Sequence, residues 1–332
     1  MSTNMMTAGE AEALVARALV RCRTSERNAR SVARALVRAE AIGLKGHGLS
    51  RVASYAAQAK NGKIDGHATP AVTRPKPAVV AIDAANGFAF PALDAAAGTL
   101  PEVARAQGVA VAAIRRSHHC GAAGLPVEAL AEAGLVALLF ANTPAAMAPW
   151  GGRTAVFGTN PIAFACPRPG REPIVVDLSL SKVARGNIVA ARQQGTAIPE
   201  GWAVDAEGRP TTDPDLALKG SMVPLGDAKG TALALMVELL AAGLTGSNYA
   251  AHASSFLDDK GGPPGTGQLI VAFDPESIGG AGALERFEAL VQAIEEQPGA
   301  RLPGGRRTAL WRQALEQGIA VEAQMARTIE AL

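Results

Sequence analysis

The segment Lys45-Gly46-His47-Gly48-Leu49-Ser50-Arg51 sets an imidazole and a permanent cation four residues apart. If the chain is helical from Gly48 onward, His47 and Arg51 share a face. A guanidinium fork grips a carboxylate through two parallel hydrogen bonds, and an imidazole beside that anion gives or takes a proton near neutral pH. The pair therefore describes half of a site for a small carboxylic acid. The same residues also fit a helix C-cap and turn built on Gly46 and Gly48, with His47 filling the corner, and spacing alone leaves both readings open.

The other histidines are His67, His118, His119 and His252, none at zinc-ligand spacing. Ser117-His118-His119-Cys120-Gly121-Ala122-Ala123-Gly124 directly follows an expected strand, Val109 to Ile114, which is where open α/β sheets carry their ligand-binding turns. Small residues after His119 let a ligand approach the backbone. The alternative for such a pair is structural, one ring in the core and the other in solvent. The G-x-G-x-x-G fingerprint and the P-loop are both missing, and the glycine-rich run from Gly261 to Gly267 contains prolines and leads into no helix. Motif logic alone ends at an α/β enzyme with a carboxylate site.

Elements that could position these residues follow from periodicity. Leu14, Val15, Ala18, Leu19 and Cys22 recur at helical spacing, a second helix runs through Val32, Leu36 and Val37, and a third continues from Arg51 to the Asn61-Gly62 break. Pro70 to Pro77 reads as a linker. Short β runs then alternate with alanine-rich helices: strands at 78–82, 109–114, 135–140, 162–165, 174–176 and 269–273, helices near 93–106 and 126–133. This alternation predicts α/β layers. The tail returns to helices at 284–296, 308–317 and 321–332. The most apolar run, Thr231 to Leu244, holds Glu238 and at about 14 residues is too short for a ~30 Å hydrocarbon layer, so a buried helix is expected and no membrane association.

With 332 residues, 48% hydrophobic and 19% charged, the chain can bury a large core. The net charge of +2 is dispersed and the chain has only three Trp and two Tyr, which argues against nucleic acid as a partner. Cys22, Cys120 and Cys166 are odd in number and far apart, as in a reducing compartment, and the N-terminus has no signal-peptide order, so a cytoplasmic location is expected.

In order, Gly46-His-Gly-Leu-Ser-Arg51, Ser117-His-His-Cys-Gly121, Pro149-Trp-Gly-Gly152, Phe157-Gly-Thr-Asn-Pro-Ile-Ala-Phe-Ala165, Val176-Asp-Leu-Ser179, Ala184-Arg-Gly186, Pro210-Thr-Thr-Asp-Pro214 and Lys229-Gly230 resemble the malate/L-lactate dehydrogenase family that is unrelated to the Rossmann lactate dehydrogenases. The resemblance spans nearly the whole chain. It implies hydride transfer at a carbon next to a carboxylate, on 2-hydroxy/2-oxo acids of malate, lactate or sulfolactate type or, alternatively, on cyclic imines such as Δ1-piperideine-2-carboxylate and Δ1-pyrroline-2-carboxylate. It implies NAD or NADP as cofactor, with NADPH favoured, on a non-Rossmann α/β sheet domain (73–282), plus a helical domain joining 1–72 to 283–332, in a homodimer.

Carried across by resemblance, His47 is the proton donor, His119 a second active-site histidine, Arg51 the carboxylate clamp and Thr159 a substrate-contacting hydroxyl. Cofactor contacts fall on His119, Cys120, Gly121, Ala122 and Ala123, on Thr143, on Asp177, Leu178 and Ser179, on Lys229, and on Pro303, Gly304, Gly305, Arg306 and Arg307. A lysine ahead of a helix and two arginines on a glycine turn suit phosphates. Imine-reducing members pair the histidine with a preceding serine and a distant aspartate, where this chain has Gly46 and Asn187. The runs 178–182 and 144–149 resemble the sulfolactate-type members more closely.

Overall fold

The computed structural model describes residues 2–332. The chain opens with β1 (Thr3–Met6), α1 (Ala8–Arg21) and α2 (Glu26–Ala41), and two single 3-10 turns, Lys45–His47 and Leu49–Arg51, lead into α3 (Val52–Lys60). Next come β2 (Ala71–Lys76), β3 (Val79–Asp83), α4 (Ala89–Gln107), β4 (Val109–Ser117), α5 (Gly124–Glu132), β5 (Val136–Ala141), β6 (Ile162–Arg168) and β7 (Arg171–Leu178). A smaller layer holds α6 (Arg185–Gln194), β8 (Ala203–Val204), β9 (Pro210–Thr211), α7 (Pro214–Lys219), β10 (Ser221–Met222) and α8 (Ala228–Glu238), which continues as a π-turn, Leu239–Gly243. The chain finishes with β11 (Thr266–Phe273), α9 (Pro275–Gly279), α10 (Ala283–Glu295), α11 (Gly305–Gln317), β12 (Ile319–Glu322) and α12 (Ala323–Glu330).

The helices form where local signals agree. Thr7 and Glu10 close a capping box on α1, Ser25 caps α2, and the apolar stripe Leu14, Val15, Ala18 and Leu19 is buried against Val32, Leu36 and Val37. β1 and β12 pair antiparallel from Thr3↔Glu322 to Met6↔Ile319, joining the two chain ends around one helical core. A second core lies on the large sheet, and a third surrounds Met147, Ile188, Met222 and Val237.

The seven-stranded sheet has the order β2-β3-β4-β11-β5-β6-β7, parallel only between β3 and β4. Its register decides where the site falls. Ser117 ends β4 opposite Thr266, which starts β11; Ala141 ends β5 opposite Gln268; Ile162 starts β6 opposite both Phe140 and Leu178, the latter ending β7. The turn after Ser117, the residues after Ala141, those before Ile162 and those after Asp177 therefore emerge at one end of the sheet.

Three expectations need correction. Pro70 to Pro77 is not a linker: Ala71–Lys76 is an exposed edge strand, where Pro75 is tolerated because an edge position needs no ladder N–H, and the register shifts between Thr73 and Lys76. The 231–244 run is buried on one side only, through Ala234, Val237, Ala241 and Ala242, while Leu233, Leu235, Met236, Leu239 and Leu244 stand 37–67% exposed. The last helix starts at Ala323, because Ile319–Glu322 is taken by pairing with β1.

Candidate active site

The 45–51 segment is not a continuous helix. Gly48 separates the two 3-10 turns because a Cβ there would lie 2.3 Å from Glu40 Oε2 and 2.9 Å from Glu40 Cα, and Glu40 Oε2 accepts the Leu49 N–H at 3.0 Å. His47 is half-buried, with its Nδ1 sealed from solvent and unpartnered. Its ring stacks on His119 with centroids 5.2 Å apart and planes at 16°. Arg51, also half-buried, donates from Nε to Gly46 O at 2.6 Å, a grip that leaves the end of the fork for a ligand.

His118 and His119 leave β4 buried, at 2% and 7% exposure, so neither ring is a solvated surface group. Tyr55, at full burial, holds His119: its hydroxyl lies 2.6 Å from His119 Nδ1. Among the described residues the Tyr55 hydroxyl has no second acceptor, so in the neutral pair it donates to Nδ1 and the proton of the ring sits on Nε2. Gln58 Oε1 meets His118 Nε2 at 2.9 Å, and Gln58 Nε2 donates to Phe256 O at 3.0 Å. The Phe256 ring closes over both histidines, 4.8 and 5.3 Å from their centroids. Lys63 anchors that covering loop, its buried ammonium donating to the carbonyls of Ser255, Asp258 and Lys260 at 2.7, 2.9 and 2.7 Å.

The electrostatics have one sign. Burial, then the Arg51 cation, lowers the His47 pKa to about 4. Burial, then the charges of Lys63 and Arg51, takes His118 to about 3, and burial with Arg51 holds His119 well below its ordinary value. The one carboxylate raising His47 is Asp177, and it is already engaged, with Oδ2 accepting from Gly124 N at 3.1 Å and from Arg307 Nη1 at 3.2 Å. The cluster is short of an anion.

Asp177 Oδ2 accepts from both Gly124 N and Arg307 Nη1, and Ala122, Gly124, Leu125, Glu128, Val175, Gly304 and Arg307 line a small groove together with Ile42. Its walls are fixed by close approach. A Cβ at Gly124 would meet Arg307 Nη1 at 3.0 Å and Asp177 Cβ at 3.1 Å; Gly121, at φ +71°, lies where a Cβ would strike the Phe90 ring. Cys120, Gly121, Ala122 and Ala123 are buried; Leu178, Pro303 and Gly305 are exposed. These small-residue approaches and the unpartnered His47 Nδ1 fit a flat, polar-edged group such as a nicotinamide nucleotide.

Thr159 is brought to the same sheet end but bonds to Thr143, whose Oγ1 accepts from Thr159 N at 2.9 Å and lies 3.3 Å from Thr159 Oγ1; neither hydroxyl bonds to the histidines. Asn160, at φ +40°, donates to Glu238 at 2.8 Å, and Asn142 and Ala250 N add two more donors to that buried carboxylate. Ser179 Oγ lies 2.6 Å from Ser181 Oγ. Lys229 lies within the first turn of α8, not ahead of it, and Arg306 and Arg307 lie in the first turn of α11; Lys229 and Arg306 are exposed.

Tyr55, Gln58, Lys63 and Phe256 were absent from the sequence reading. Tyr55 had a signal, since residues 47, 51 and 55 repeat at four; Phe256 sits in a loop and had none.

The model of the malate/L-lactate dehydrogenase family matches residues 6–330. The chain is 53% identical over 311 residues to a (2R)-3-sulfolactate dehydrogenase (NADP(+)) of Chromohalobacter salexigens, covering 94% of this chain and 93% of the relative. It is 40% identical to a Δ1-pyrroline-2-carboxylate reductase of Pseudomonas fluorescens, covering 96% of each. The crystal structure of a Δ1-piperideine-2-carboxylate reductase from Pseudomonas syringae superimposes with a TM-score of 0.94 at 39% identity, covering 99% of both chains.

Proposed function

The chain belongs to the malate/L-lactate dehydrogenase family, and from that premise we propose an NADP(H)-preferring oxidoreductase that interconverts a small 2-oxo acid and its 2-hydroxy acid, of sulfolactate type. The observation that carries this reading is the stack of His47 on His119 beside Arg51 in a cluster lacking an anion. Arg51 binds the substrate carboxylate with the end of its fork. As the imidazolium, His119 gives its Nε2 proton to the substrate oxygen and keeps its Nδ1–H, which the Tyr55 hydroxyl accepts, and His47 flanks the same oxygen from its unpartnered Nδ1. The Tyr55 hydroxyl, both donor and acceptor, serves His119 Nδ1 in either protonation state. Phe256 and its loop keep water from the reacting carbon, which strengthens each of these interactions.

When bound, the nicotinamide cofactor supplies or takes up the hydride at the 2-carbon. Residues 119–123, Thr143, 177–179, Lys229 and 303–307 would hold it, with Arg306 and Arg307 suited to a 2′-phosphate and Lys229 to the pyrophosphate. Protonation of the oxygen as the hydride arrives prevents an alkoxide from accumulating.

The second reading, reduction of a cyclic imino acid, is favoured by the names of two of the relatives above. The charge around the histidines opposes it. An iminium brings a cation to a site where Arg51, Lys63 and Arg307 already face a single, engaged carboxylate. Assaying pyruvate, oxaloacetate, sulfopyruvate and Δ1-piperideine-2-carboxylate with NADH and NADPH decides the matter; fastest turnover of the imine would reverse the assignment.

The reading includes a cytoplasmic homodimer. Its support is the open apolar side of α8 and the π-turn, which a second copy would cover, and three unpaired, buried cysteines. Sedimentation at a single-chain mass would remove the dimer.

A further inference from the structure

Between Ala251 and Pro263 the chain buries a single residue, Phe256, so apolar packing alone does not hold this loop. Polar groups at the end of α3 and just beyond it hold it instead. Gln58 Nε2 donates to Phe256 O at 3.0 Å, Asn61 Nδ2 to the Asp259 carboxylate at 3.0 Å, and the Lys63 ammonium to the carbonyls of Ser255, Asp258 and Lys260. An ammonium has three N–H donors and no acceptor, and here all three are engaged by one short stretch of backbone. The Lys63 side chain is 1% exposed. Its one ion-pair partner among the described residues, Asp258, is 46% exposed and holds Oδ1 3.9 Å away, so the carbonyls are the main counterpart of this charge.

Three carbonyl oxygens closing on a buried cation at 2.7–2.9 Å resemble the cages in which backbone carbonyls replace the hydration shell of a monovalent ion. Without a cation at the centre, three carbonyl dipoles would face one another in a buried space with no donor. Ser255 and Asp258 stand on either side of Phe256, whose ring lies 5.3 Å from the His119 centroid and 4.8 Å from that of His118. Lys63 therefore fixes the backbone before and after the ring that covers His119. The same helix end follows Tyr55, whose hydroxyl bonds to His119 Nδ1. The 55–63 stretch thus places His119 twice, once directly and once through the loop.

We propose that Lys63 is a positioning residue of the reaction, its ammonium acting as a built-in monovalent cation that shapes the 255–260 loop and so seats Phe256 over His119. The inference rests on the placement of the chemistry at His119 given above and is independent of whether the substrate is an acid or an imine. Lys63 acts through Phe256 and touches neither substrate nor cofactor. A cage of this kind accepts a free cation of ammonium or potassium size once the tethered one is cut away.

The test measures kcat and KM with NADPH, on whichever of sulfopyruvate and Δ1-piperideine-2-carboxylate the unsubstituted enzyme turns over, in Lys63→Ala, Lys63→Met, Phe256→Ala and the double variant Lys63→Ala/Phe256→Ala. In Lys63→Ala kcat should fall about tenfold, with KM for the substrate near its original value because Arg51 is untouched. At equal ionic strength, ammonium or potassium chloride should recover most of that loss and tetramethylammonium chloride should not. Lys63→Met, which fills the same space without a charge, should lose as much and recover nothing. The double variant should be no slower than Phe256→Ala and should not respond to ammonium, since both changes remove the same cover. A Lys63→Ala enzyme with kcat within about twofold of the unsubstituted one, a loss that neither cation recovers, or losses that add in the double variant would overturn the proposal. If Lys63→Ala does not fold in any of these salts, Lys63→Gln, which keeps two N–H donors and no charge, carries the test: a fall in kcat supports the assignment and an unchanged kcat overturns it. A Phe256→Ala enzyme of full activity would instead remove the placement of the chemistry under this ring, and with it the reading on which the inference rests.

Discussion

Replacing Tyr55 by Phe removes one atom from the interior and leaves the ring packing among Phe88, Phe90 and His118 in place. That atom is the sole partner of His119 Nδ1, at 2.6 Å and out of reach of water. A buried polar atom left unpaired costs about 1–3 kcal/mol. His119 would then lose both its orientation and its preference for carrying the neutral proton on Nε2. If the whole cost falls on the transition state, kcat drops roughly 5- to 150-fold at about 1.4 kcal/mol per decade. KM for the acid should stay near its original value, because Arg51 still holds the carboxylate. The assay is steady-state turnover across pH, with circular dichroism to establish that the variant is folded. A folded Tyr55→Phe enzyme with kcat within about twofold at every pH would refute the role given to this pair.

Further outcomes follow from the same geometry. Arg51→Lys loses the two-pronged grip on the carboxylate and should weaken substrate binding by about 1.5–3 kcal/mol, read as a raised KM; an unchanged KM removes the clamp. Lys63→Met leaves three carbonyls of the covering loop without their donor and should cost about 2–3 kcal/mol of stability by urea unfolding, with faster proteolysis in 255–260; an unchanged midpoint would show that the loop does not depend on Lys63. Folding holds His118 and His119 neutral, whereas the unfolded chain protonates them below pH about 6.5, so each should remove up to about 1.4 kcal/mol of stability per pH unit as pH falls from there, tapering only near the much lower folded-state pKa values. The urea midpoint should therefore drop between neutral pH and mildly acidic pH, and His118→Gln should flatten that dependence; a pH-independent midpoint would contradict the burial of the pair.

Helices were legible wherever caps and apolar spacing agreed, as in α1 and α2, and strands wherever a β-rich run stood between turns, as in β4 and β5. The sheet order was not. β11 enters from more than a hundred positions away and pairs antiparallel with both β4 and β5, and nothing in its apolar run names those neighbours. β2 was hidden by its prolines, which an edge strand accepts. The α8 run reads as buried because it is apolar on every side, yet a single chain covers one side only. At the site, the helical spacing expected of His47 and Arg51 is replaced by two 3-10 turns broken at Gly48, and the stacking of His47 on His119 depends on how β4 ends beside α3. Lys63 and Phe256 could not be found from spacing, because a lysine bound to three carbonyls and a phenylalanine in a loop have the same sequence signature as surface residues.

The most direct measurement is the rate of NADPH consumption with sulfopyruvate against that with Δ1-piperideine-2-carboxylate, in one preparation of the unsubstituted enzyme. The account predicts a kcat/KM for sulfopyruvate at least about tenfold higher, because the unpaired cations around His47 and His119 receive an anionic acid and repel an iminium. A higher value for the imine, or no consumption with sulfopyruvate, would contradict it.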